Sequence, residues 1–162
     1  MSGRSYRIAS LVALAAVFLF DRGHKFFQLQ VAGWTGGEYV PVTGFFDYVL
    51  VWNTGVSYGL LGDVPSWTIL VIMTVAIVVL GVWWFRARTA LTAFGLAIAL
   101  GGAFSHVLDR MIYGAVPDFF HFHWGEWSFY VFNIADAAIS LGVILLFVDA
   151  FRPYKADPLE EV

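Results

Sequence analysis

Apolar residues run in four long blocks along this chain, and most polar residues gather between them. Ile8 to Phe20 is uncharged, and apolar character resumes after Asp21 with Phe26, Phe27 and Leu29. Val64 to Phe85 and Thr89 to Leu108 are uncharged throughout, and a fourth block from about Phe129 to Phe151 contains Asp136. A block of some 20 such residues crosses ~30 Å of hydrocarbon as a helix. This predicts helices at about 7–28, 65–85, 89–108 and 129–151. The first block has the length of a signal-peptide core, but Phe18-Leu19-Phe20-Asp21 offers no small-residue cleavage site, so a retained helix is expected.

Between Gly33 and Pro65 the pattern changes to glycine, proline, β-branched and aromatic residues, as in Glu38 to Phe46 and Tyr48 to Trp52. That composition favours short strands over a helix. Unpaired strand edges are not tolerated in lipid, so a β-rich segment at about 33–62 belongs outside the hydrocarbon. Residues 109–128 are read as a second outer loop. Arg4 and Arg7, Arg86 and Arg88, and Arg152 and Lys155 all fall on one side of a four-span frame, and that side is cytoplasmic by the positive-inside rule. Trp124, Trp127, Phe129 and Tyr130 form an aromatic belt where the fourth helix enters.

Composition agrees with this frame: 60% of residues are hydrophobic, 13% are charged, and the mean hydropathy is +0.76. The expectation is one integral membrane domain over 1–162, mainly α, with four transmembrane helices and a small extracytoplasmic β-rich cradle between helices 1 and 2. A net charge of −3 with scattered basic residues argues against nucleic acid. Without cysteine the chain has no disulfide, thiolate nucleophile or lipidation site. Four histidines lack metal-ligand spacing, so no metal is expected. His121 and His123 flank Phe122 and can touch a common group, or are simply two interfacial imidazoles.

The chemistry gathers between Asp109 and Asp136, with Asp118 between them. An acid within a span is costly and marks a functional candidate. Asp136 is placed about seven residues inside the fourth helix, roughly 10 Å below its outer end. Asn133, three residues earlier, shares its face and can orient the carboxylate with its amide. Ala135, Ala137 and Ala138 allow close approach by another backbone. Asp118 lies close enough in sequence to fold back over that site. Two adjacent carboxylates cannot both ionise easily, so one supplies an acid and the other a base. Such acids also serve proton relays, ion sites or buried structural pairs. Asp21 and Lys25, four apart, can pair on the first helix or simply end the span as an interfacial ion pair.

Five stretches in order resemble the lipoprotein signal peptidase (signal peptidase II) family: Asp21 with Lys25, Asn53-Thr54-Gly55 with Tyr58-Gly59, Gly101-Gly102-Ala103 through Asp109-Arg110, Val116 with Asp118-Phe119, and Phe132-Asn133 with Ala135-Asp136. The resemblance covers nearly the whole chain. It implies an aspartic endopeptidase, without metal or cofactor, that cleaves diacylglyceryl-modified prolipoproteins before the lipidated cysteine at the outer face of the bacterial cytoplasmic membrane. It implies Asp118 and Asp136 as the catalytic pair. Asp21, Lys25, Asn53, Gly55, His106, Asp109, Arg110, Asn133 and Ala135 are then supporting or substrate-binding residues, with Asp109-Arg110 as a pair. A β-cradle over 30–62 and a mobile extramembrane helix or loop are implied too. The expected partners are lipidated precursors and membrane lipids, around a monomer. Three departures from the family pattern stand out: Ser105-His106 stand for Gly-Asn, Arg22 for glutamine, and Pro117 precedes Asp118. His106 shares a face with Asp109 and can replace the amide as donor, or merely fill its space. Two competing readings are a catalytically silent relative that binds lipidated peptides, and a small proton or ion conduit.

The charge pattern makes a testable statement about topology. Reporter fusions after residue 87 and at the C-terminus should read as cytoplasmic, and one near residue 40 as outside. A cytoplasmic signal at residue 40 refutes the frame.

Overall fold

The computed structural model describes residues 3–55 and 66–152. Tyr58-Gly59, Lys155 and the first residues of the second apolar block lie outside the described residues. Helix α1 (Gly3–Phe26) continues into a π-helical turn, Phe27–Val31. Strands β1 (Tyr39–Thr43) and β2 (Phe46–Asn53) follow, then α2 (Ser66–Arg86), α3 (Ala90–Tyr113), β3 (Val116–Trp124), β4 (Trp127–Ser128) and α4 (Ile134–Ala150). The chain is therefore mainly helical with one small antiparallel sheet. By length and apolarity, Trp67–Arg86 and Ala90–Tyr113 can each cross a membrane.

Helix α3 is the axis of the bundle and packs against α1, α2 and α4. Its small residues explain why. A Cβ on Gly101 would lie 2.6 Å from the Leu14 carbonyl of α1, and one on Gly102 would lie 2.6 Å from the Ala135 carbonyl of α4. Farther along, Gly95 and Gly142 face each other so closely that a Cβ on Gly142 would meet the Gly95 oxygen at 2.5 Å. Where lipid tails are as apolar as leucine, such backbone approach is a main source of helix association. The Gly101-Gly102 pair thus serves two interfaces at once. Elsewhere α2 turns Val71, Val75, Val78, Val79 and Val82 outward, the surface expected of a helix facing lipid.

Helix ends are set locally. Thr89 caps α3 by accepting from the Thr92 N–H, and Gly114 closes it in the left-handed region (φ 71°) with its N–H on the Arg110 carbonyl. Asn133 begins α4 in a capping box with Asp136.

The strands run in the order β1-β2-β3-β4, all antiparallel. Residues 109–128 are consequently no loop: α3 extends to Tyr113, and Val116–Trp124 is an inner strand beside β2. Pro117 and Asp118 disguise it, because both residue types are poor in strands. The register pairs Val51 with Asp118 and Asn53 with Val116 after an irregularity between Tyr48 and Val51. Helix α4 starts at Ile134 rather than 129, since Phe132 bridges Phe120 in extended form. His121 and His123 touch one group together, the first of the two readings. Their nitrogens lie 3.3 and 3.0 Å from Asp47 Oδ2, and His121 also meets Ser128 Oγ at 2.7 Å. Burial opposes the Asp47 charge, but hydrogen bonds from Tyr39 and His121 and the nearby His123 ring outweigh it and hold the carboxyl below its ordinary range.

Contact at Gly142 is testable against an open position. A Cβ on Gly81 of α2 meets nothing within 4 Å. Gly142→Ala should cost about 1–3 kcal/mol by overpacking, seen as a lower thermal midpoint in detergent, whereas Gly81→Ala should not lower it. Equal midpoints would refute the close packing of α3 on α4.

Candidate active site

Ser105, His106, Asp109 and Arg110 repeat on α3 with the spacing of one broad face. On α1, Asp21 and Lys25 stand one turn apart and face it. Lys25 Nζ reaches Asp21 Oδ2 at 2.7 Å and Asp109 Oδ2 at 2.5 Å, and all three side chains are fully buried. Arg22 binds the other oxygen of Asp109 at 2.5 Å. Ser105 Oγ donates to Asp21 Oδ2 at 2.5 Å. Asp21 Oδ1 accepts the Ala135 N–H at 3.0 Å, one of the unpaired donors in the first turn of α4. Two carboxylates and two cations therefore balance inside the protein. The interfacial reading of Asp21 and Lys25 is overturned by that burial.

Asp109 and Arg110 interact electrostatically but make no ion-pair contact with each other among the described residues. Adjacent helical residues point about 100° apart, so Asp109 turns to α1 while Arg110 turns to the chain after β2. There Arg110 donates to the Thr54 carbonyl at 3.3 Å and to the Gly55 carbonyl. It fixes the path of the backbone beside Asn53.

Strand β3 and the start of α4 bring Asp118 and Asp136 together through Asn133. The Asn133 amide donates to Asp118 Oδ1 at 2.5 Å, and its backbone N–H donates to Asp136 Oδ2 at 3.0 Å. Its side-chain oxygen accepts the Asp136 N–H at 3.1 Å. The amide thus orients Asp118, not Asp136 as the helical spacing suggested. The correction follows from Asn133 being the cap residue, which places Asp136 in the first turn rather than seven residues deep. Asn53 Nδ2 donates to the second oxygen of Asp118 at 3.1 Å, while Asn53 Oδ1 accepts the Gly55 N–H at 3.2 Å. His106 Nε2 lies 3.1 Å from Asp136 Oδ1.

The two carboxylates meet different surroundings. Asp118 is 2% exposed, whereas the Asp136 side chain keeps 24% of its surface open. Burial pushes the Asp118 carboxyl up to about 7, and the Asp136 charge adds to the rise against the pull of Asn53 and Asn133. A carboxyl that keeps its proton near neutrality thus stands beside one open to water, the pairing suited to acid and base catalysis. Among the described residues no group of three histidine or carboxylate side chains could hold a metal ion. Among the described residues, Asp21, Lys25, Asn53, Gly55, His106, Asp109, Arg110, Asp118, Asn133, Ala135 and Asp136 are linked here by hydrogen bonds or ion pairs. Arg22 and Ser105, noted there only as departures from a pattern, prove to be partners of the buried acids.

The model of a family described as "Signal peptidase (SPase) II" matches residues 13–152. A lipoprotein signal peptidase of Methylorubrum extorquens is 40% identical over 157 residues, covering 95% of this chain and 92% of that protein. One from Rhodopseudomonas palustris is 43% identical over 151 residues, covering 89% and 92%. A solved bacterial membrane enzyme superposes with a TM-score of 0.77 at 23% identity, covering 92% of this chain and 93% of its own.

The balanced cluster and the raised acid predict stability effects of opposite sign. Lys25→Met leaves two buried carboxylates without their shared cation and should cost about 3–5 kcal/mol, read as a collapse of the thermal midpoint or of folded yield. Asp118 has a folded value above its unfolded one, so its contribution is intact below about pH 4 and is lost as pH rises through about 7. Asp118→Asn should therefore be more stable than the parent above neutrality, with the gain fading towards acid pH. A gain that grows on acidification would refute the burial argument.

Proposed function

Because the chain belongs to the signal peptidase II family, we propose that it is an aspartic endopeptidase removing the signal peptide from diacylglyceryl-modified prolipoproteins, with cleavage before the lipidated cysteine. The observation that carries the site assignment is Asn133 holding Asp118 and Asp136 at once. In this reading Asp136, open to water, takes a proton from the attacking water. Asp118 gives its proton to the scissile carbonyl oxygen, forming a gem-diol. Collapse then returns that proton to Asp118 while Asp136 protonates the leaving amine, so both acids end as they began. Retention and alignment of both acids favour catalysis over a silent binder. The conduit reading lacks a path, since α2 has no ionisable residue before Arg86.

The membrane frame belongs to the same proposal. The four helices span the bacterial cytoplasmic membrane with both termini inside, and the sheet lies outside at the level of the site. Three basic clusters on one side and the exposed valines of α2 support it. The enzyme works as a monomer among membrane lipids. Asp136 sits in the first turn of α4, so the reacting bond is held at the interface while its acyl chains remain in lipid. Each buried CH₂ adds about 0.8 kcal/mol to that anchoring.

Asp118→Asn and Asp136→Asn should each abolish cleavage of a lipidated prolipoprotein by purified, folded protein, because an amide keeps the shape but cannot relay the proton. Both should still bind the precursor. The unlipidated precursor should be cleaved far more slowly by the parent enzyme. Near-normal turnover by Asp118→Asn would remove Asp118 from the pair, and equal turnover of both precursors would remove the lipid requirement.

A further inference from the structure

His106 touches the proposed dyad from the side that faces the buried charges. Its Nε2 is 3.1 Å from Asp136 Oδ1, and its Nδ1 is 4.0 Å from Asp109 Oδ2. That second nitrogen is buried and makes no hydrogen bond among the described residues. A histidine that only filled space would need neither contact. Its carboxylate neighbours are Asp109 of α3 and Asp136 of α4, with Asp21 of α1 and Asp118 of β3 within electrostatic range, and those acids in turn face Arg22 and Lys25 of α1 and Arg110 of α3.

The charges in this set can be counted. With one proton on the dyad, held by Asp118, the ionised groups are Asp21, Asp109 and Asp136 against Arg22, Lys25 and Arg110, three of each sign. A neutral imidazole then fits: it donates Nε2–H to Asp136, and bare Nδ1 is left without a hydrogen bond. A further proton arriving at Nδ1 would face the Asp109 carboxylate and place a positive charge beside Asp136.

We infer that His106 is a positioning residue that holds Asp136 as the ionised, water-facing member of the pair and forms a third proton site coupled to it. The inference rests on the assignment of Asp118 and Asp136 as the catalytic dyad. An amide at residue 106 can supply the hydrogen bond but not the charge. A hydrogen-bond-donating or cationic neighbour favours the carboxylate form of the acid it contacts. Removing the imidazole therefore moves the acid limb of the pH–rate profile to higher pH.

Two measurements test this. In kcat/KM profiles on a lipidated precursor, His106→Asn should move the acid limb upward by about half a pH unit or more. His106→Leu, which loses the donor as well, should show the same displacement with a larger fall in kcat than the asparagine variant. Independently, nitrogen NMR of histidine-labelled protein should show the His106 titration moving to lower pH in Asp136→Asn. The His106 resonance is identified by its absence in His106→Asn. Acid limbs that superimpose in both His106 variants, or a His106 titration indifferent to Asp136→Asn, would overturn the coupling. If the parent enzyme cleaves nothing, the functional reading fails, and the NMR shift still reports whether His106 and Asp136 titrate together.

Discussion

A lysine ammonium buried among the helices is the constraint to which the rest of this structure answers. Lys25 has no exposed surface, and an isolated ammonium there would cost several kcal/mol. Asp21 on its own helix and Asp109 on α3 both contact it, and Arg22 neutralises the second acid. This arrangement leaves α1 one rotational setting against α3. The same setting seats the Leu14 carbonyl of α1 on Gly101, two turns before Asp109. Gly101, Ser105 and Asp109, four residues apart, form the stripe of α3 that faces α1. Gly95, Ala99, Gly102 and His106 form the neighbouring stripe that faces α4. One helix thus fixes two partners through small residues at one end of each stripe and polar residues at the other.

The charge cluster reaches Asp118 and Asp136 by a short path. Asp21 accepts the Ala135 N–H, which pins the first turn of α4 and hence the cap residue Asn133 two positions earlier. Asn133 in turn fixes Asp118 on β3 and Asp136 on α4. A strand and a helix start therefore share one residue that satisfies both. The sheet's part is to carry Asp118 and Asn53 to that point, with Arg110 holding the backbone just beyond Asn53.

The helices, the acids and their order were legible in the sequence because apolar length and isolated charge are one-dimensional signals. Asp21 with Lys25 could be placed on one face by counting. What counting could not show was the partner across the bundle, so Asp109 looked paired with its neighbour Arg110 when its charge partners were Arg22 and Lys25 on another helix. The strand at Val116–Trp124 was hidden for a related reason. Pro117 and Asp118 argue against a strand locally, and only pairing with β2 outweighs them. The start of α4 moved from 129 to 134 because aromatic residues that suit an interface also suit an extended segment bridged to Phe120.

Placing one acid on a strand and the other on a helix start gives the pair its asymmetry. Asp118 is enclosed between β2 and α4, where burial raises its carboxyl to about 7. Asp136 projects from the first turn of α4, partly open to water. A symmetric pair on two like elements would need another device to decide which acid keeps the proton. Here the burial of Asp118 decides it. The enclosed acid lowers stability whenever it ionises, a cost that a bundle pinned by a balanced internal charge cluster can bear.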